Sequence, residues 1–192
     1  MCFNNLRGSI FHCVVTFSLI ACAASGAHSQ DSSKLIQGAA ETGKVFGRVY
    51  TNTGVLSAVS DICAKYPIPD ASFFQSYKAH LLEKYASVAG VLVGVHQELM
   101  QERLGQQLEE SLSAIGRQIR LYAYEEIKTK LLATPIEERG AVCGNFKNQI
   151  ENGDWDVFSL ADSYFTSLRS YVPSFYEDTK SARDLIERFR TH

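Results

Sequence analysis

The chain is poor in proline: four in 192 residues, at Pro67, Pro69, Pro135 and Pro173. Residues 70–134 contain none, so nothing in that stretch forbids a helix. A basic surplus is also lacking, with 19 Lys plus Arg against 21 Asp plus Glu and a net charge of −2. A nucleic-acid binder needs excess cations to displace counterions, so that class is excluded. There is no Asn-x-Ser/Thr sequon, which fits a bacterial periplasm better than a eukaryotic secretory route. No Gly-x-Ser-x-Gly nucleophile elbow is present. What remains, 45% hydrophobic and 21% charged residues, is too apolar for disorder and too polar for a polytopic membrane protein.

The N-terminus carries one cation, Arg7, and then the apolar stretch Cys13 to Ala24 followed by small residues. That stretch is too short to anchor in a bilayer and reads as a secretory signal over residues 1–29. Two maturation routes compete. In the favoured one, signal peptidase cuts near residues 27–29, after Ala27 or Ser29. In the other, Leu19-Ile20-Ala21-Cys22 resembles a bacterial lipobox, and Cys22 is acylated as the new first residue. The mature chain, residues 30–192, is the right length for a single domain with its own core.

Three of the five cysteines, Cys2, Cys13 and Cys22, lie in the targeting segment, which leaves Cys63 and Cys143. An even count in an oxidising compartment favours a Cys63–Cys143 disulfide over two buried thiols. Zinc is disfavoured, because neither cysteine has a second Cys or a His at ligand spacing.

Helical periodicity dominates. Phe74, Tyr77, Leu81, Tyr85, Val88, Leu92 and Val95 recur at threes and fours, as do Leu104, Leu108, Leu112, Ile115 and Ile119. The fold class is all-α: a bundle of six or seven helices with a long central helix or helix pair. One unbroken rod from Phe73 to Leu132 would be roughly 90 Å long, so a break is expected near Gly105, or else at Gly90 or Gly94. Gly94, Gly105 and Gly116, spaced by eleven, would line one face of a continuous helix. Upstream, Lys34 to Val49 reads as a helix, Asn52-Thr53-Gly54 as a turn, and Val55 to Lys65 as a helix carrying Cys63. Thr134-Pro135-Ile136-Glu137 predicts a capping box, and Gly153 the end of that helix. Asp154 or Asp156 opens another, stopped before Pro173, and Ser174 starts a last one to Phe189. Val88 to Val95, free of charge, is expected to be buried all round.

Chemical signals are weak. Gly38 to Val45 nearly spells a phosphate-binding loop, but Val45 stands where a hydroxyl should ligate magnesium and no strand precedes it, which excludes a nucleotide. His80 and His96 are 16 residues apart and fall on opposite faces of one helix, so they cannot share a metal unless the helix folds back. The paired glutamates, such as Glu109-Glu110 and Glu125-Glu126, point about 100° apart and do not converge as an acid and a base. No cofactor and no enzymatic activity is expected. The alternative is a periplasmic enzyme or a metal or haem carrier using His80, Glu83, His96 and Glu98.

The richest surface signal lies between Trp155 and Tyr176, which hold seven aromatics. Phe158, Ala161, Phe165, Leu168 and Val172 form one helical stripe, and Val157, Leu160, Tyr164 and Tyr171 an adjacent second one. The second stripe is either a wide core face or a binding patch. Trp, Tyr and Arg dominate binding hot spots, so Trp155, Tyr164, Arg169 and Tyr171 are the candidate partner-binding residues. The expected function is a non-enzymatic module, secreted or periplasmic, that binds another envelope or periplasmic protein as an inhibitor, an immunity-type factor or an assembly accessory. It would touch the membrane only if lipidated at Cys22.

Overall fold

The computed structural model describes residues 29–65, 70–103 and 111–191, and these are almost entirely helical, with no strand among them. Seven α-helices follow in order: α1 Ser29–Cys63, α2 Ala71–Glu98, α3 Ser111–Ala133, α4 Ile136–Glu151, α5 Val157–Tyr171, α6 Pro173–Asp178 and α7 Lys180–Thr191. A short π-helix, Leu99–Arg103, extends α2. Residues 1–28 of the signal segment, including the lipobox with Cys22, and the expected break at Gly105 lie outside the described residues.

The spine of the bundle is α1, about 52 Å long at 1.5 Å per residue, with α2, α3, α4 and α5 against it. The helix pair α2–α3 expected at the centre instead flanks α1. The turn expected at Asn52-Thr53-Gly54 does not form. Thr53 stays helical, with its hydroxyl donating back to the Val49 carbonyl at 2.7 Å. Gly54 is there for proximity, since a Cβ at this position would collide with the Arg120 carbonyl oxygen and the Ala123 side chain on α3. Gly38 plays the same part against Tyr171 and Val172. These glycines weaken the helix locally and let neighbours approach its backbone.

The helix α2 runs straight through Gly90 and Gly94, where a Cβ would meet open space. Val88, Ala89, Leu92 and Val95 are buried while both glycines are exposed, so Val88 to Val95 has one core face rather than burial all round. Gly116 is pressed on the ring of Tyr50, so Gly94 and Gly116 do not share a packing role. Among the described residues, no helix is long and apolar enough to cross a membrane.

Cys63, at the end of α1, is bonded to Cys143 in α4, with Cα atoms 5.8 Å apart and both residues buried. Ion pairs tie the same corner. Asp61 takes Lys78 from α2 and the Tyr124 hydroxyl from α3 at 2.9 Å. Burial raises the Asp61 carboxyl, but the hydrogen bonds from Lys78 and Tyr124 outweigh it and hold the pKa below its ordinary value. Lys147 of α4 reaches Asp70 at 3.0 Å.

The expected capping box at Thr134 is not made: its hydroxyl bonds back to the Lys130 carbonyl at 2.9 Å, and α4 starts at Ile136 with no side-chain cap. Arg139 takes over the exposed end of α3, donating to the Leu132 and Thr134 carbonyls. Gly153, with φ +78°, ends the turn after α4, and Asp156 caps α5 by accepting from the Phe158 and Ser159 amides, each at 3.1 Å. The last predicted helix is two, with Pro173 opening α6 and a break at the buried Thr179.

Candidate binding surface and buried histidine cluster

Both stripes of α5 are core. Val157, Leu160 and Tyr164 are as buried as Phe158, Ala161, Phe165 and Leu168, because α5 packs on α1 with one flank and on α2 with another. Tyr164 has 0% of its surface exposed and leaves the list of surface contacts. Its hydroxyl instead meets His96 Nδ1 at 3.4 Å, and Thr42 Oγ1 of α1 meets the same nitrogen at 3.3 Å. The Thr42 hydroxyl also lies within donating distance of the Gly38 and Ala39 carbonyl oxygens, at 2.8 and 3.1 Å. Phe46 stacks on the imidazole at 5.9 Å between centroids, and Tyr164 meets it edge-on.

This cluster does no surface chemistry. His96 is 4% exposed, and burial pushes its pKa down to about 4, so the ring is neutral at pH 7. Burial also drives the Tyr164 phenol well above its ordinary range. Thr42 and His96 lie at the distance of a nucleophile and base, but Thr42 and Tyr164 have no exposed surface on which a substrate could act. The physical role is to satisfy buried polar groups where α1, α2 and α5 meet.

The alternative set is not brought together. His96 is in the core, whereas His80, Glu83 and Glu98 are exposed along α2. Among the described residues, no group of three or more His, Cys, Asp or Glu side chains is placed to hold a metal ion.

The other three surface candidates do not form one patch. At ~100° per residue, Arg169 and Tyr171 leave α5 on opposite flanks, and Trp155 lies some 20 Å from Arg169 along the chain axis. Trp155 is half-buried against Phe146, donates its indole N–H to Gln149 Oε1 at 3.1 Å, and offers its carbonyl to the Tyr85 hydroxyl at 2.6 Å. Tyr171 lies over Gly38, its hydroxyl accepting from Gln37 at 3.2 Å. Arg169 is exposed, and its guanidinium lies 5.9 Å from the Tyr176 ring centre.

Tyr176 is where a second arginine arrives. Arg183 of α7 sits over the same ring at 4.0 Å and donates to the Tyr176 hydroxyl at 2.7 Å. Its Nε is buried with no hydrogen-bond partner. Neither Arg169 nor Arg183 makes an ion pair among the described residues, whereas Arg190 is paired with Asp162 at 2.7 Å. Two guanidiniums on one tyrosine, neither paired with a carboxylate among the described residues, form the most concentrated hot-spot chemistry at this end of the bundle. Sequence reasoning missed Arg183, because the break at Thr179 hides the step that returns α7 to Tyr176.

No protein-family model, no curated protein and no solved structure matches the chain.

Proposed function

We propose that the chain is an exported, non-enzymatic module that binds another protein of the envelope or periplasm, with the Arg169–Tyr176–Arg183 surface as its contact. The observation that carries this reading is that pair of arginines, held on one aromatic ring and making no ion pair among the described residues. A partner supplying an acidic side chain would complete them, and charge-assisted pairs to arginine are among the stronger polar contacts. The buried Cys63–Cys143 bond is compatible with maturation outside the reducing cytoplasm. An inhibitor, an immunity-type factor and an assembly accessory all fit such a surface.

The test is an affinity pull-down from native envelope extract with the wild type and with Arg169→Ala. A stoichiometric partner held by the wild type and lost by the variant, at unchanged melting temperature, is expected. No partner under several extraction conditions, or equal capture by the variant, overturns the proposal. Mass spectrometry of the mature N-terminus separates cleavage near residues 27–29 from acylation at Cys22.

A further inference from the structure

The outer side of α3 carries apolar side chains that no described element covers. Ala123, Ile127 and Leu131 turn inward and are buried. At ~100° per residue, Leu121, Glu125, Lys128 and Leu132 form one row about 130° round the helix from that buried side, with Tyr122 beside it. Leu121 is 60% exposed, Tyr122 61% and Leu132 43%, and Ile136, which opens α4, is 61% exposed. The two charges at the middle of the row, Glu125 and Lys128, lie 3.2 Å apart.

The order along this row is apolar, acidic, basic, apolar, which is complementary to itself when reversed. Two copies of α3 laid antiparallel about a two-fold axis between Glu126 and Ile127 bring Leu121 of one copy opposite Leu132 of the other. The same operation sets Glu125 opposite Lys128 of the second copy, and each contact occurs twice, as an isologous interface requires. We propose that the outer face of α3 docks a second copy of this chain in an antiparallel α3–α3 pair. The occupant follows from the charges: they balance in reverse order within the row, so the face is matched by itself and not by a partner of one net sign. A seam of one helix pair falls at or below the roughly 1,200 Å² lower limit of standard interfaces, so the dimer dissociates on dilution.

Sedimentation equilibrium on the purified mature protein, from roughly 1 μM to roughly 1 mM, is the test. A monomer–dimer equilibrium is expected, weakened at least about tenfold by Leu121→Glu. Glu125→Lys and Lys128→Glu each weaken it, and the double variant E125K/K128E restores it, because the cross-axis pairs re-form with signs exchanged. The Glu125 side chain is 54% exposed and that of Lys128 37%, and unchanged thermal melts establish that each variant folds. A monomer throughout the range overturns the proposal, as does a dimer indifferent to all four variants or a double variant that fails to recover. Capture of a different protein by this face, with the chain itself monomeric, also overturns it.

Discussion

None of residues 49–63 of α1 is exposed, whereas α2 and α3 each keep one side open. All three carry glycines, and the contrast shows what those glycines do. On α1, Gly38 and Gly54 lie against neighbouring atoms that leave no room for a methyl group, while Gly43 faces open space. On α2, Gly90 and Gly94 face open space. The same residue is a packing device at Gly38 and Gly54 and a helix-weakening substitution at Gly43, Gly90 and Gly94. Features that hold the fold therefore concentrate along α1: the end of the disulfide, the Thr42 hydroxyl and the close approach to α3.

The largest break in that contrast comes from cutting the pin at the end of α1. Replacing Cys63 and Cys143 together by Ala should cost about 4.5 kcal/mol on the chain-entropy model for an 80-residue separation, read as a fall in the denaturant midpoint. A change under about 1 kcal/mol would mean that the packing of α1 does not need the crosslink.

Next in size is the pH response of the α1–α2–α5 junction. His96 titrates near 4 when folded against an ordinary value of 6.5. Its contribution is fully present above the unfolded value. As pH falls from about 7 to about 4, the unfolded chain takes a proton that the folded chain refuses, and stability drops by roughly 3 kcal/mol. Urea midpoints measured across that range should lose this slope in His96→Phe. A slope equal in wild type and variant would assign the acid sensitivity to other groups.

A matched glycine pair sharpens the comparison directly. Gly54→Ala should destabilise by about 1–3 kcal/mol, because backbone of α3 must retreat. Gly94→Ala should stabilise by up to about 1 kcal/mol, since the site is helical and open. Thermal melts that move in the same direction for both variants would remove the distinction between the two helices.

What the sequence made legible was local. The Cys63–Cys143 pairing followed from a count, and Gly153, Asp156 and Pro173 mark boundaries through the backbone geometry or hydrogen bonds of their own few residues. What it hid was decided by contacts distant in the chain. Thr53-Gly54 carries turn chemistry, yet the approach of α3 at Arg120 keeps it helical. Thr134 has a capping sequence, but its hydroxyl finds the preceding helix first. Tyr164 lay on a second stripe that a one-sided helix would expose, and α5 is covered on two sides. The arginines at Tyr176 come from two helices separated by a break, which periodicity alone cannot join.

The proposed export requires that this helical bundle, with its spine crosslinked to α4, mature outside the cytoplasm. Thiol titration of protein recovered from the periplasmic or secreted fraction, denatured without reductant, tests it most directly. The account predicts no reactive sulfhydryl at Cys63 or Cys143 until reductant is added, then two; free thiols at both positions before reduction would contradict it.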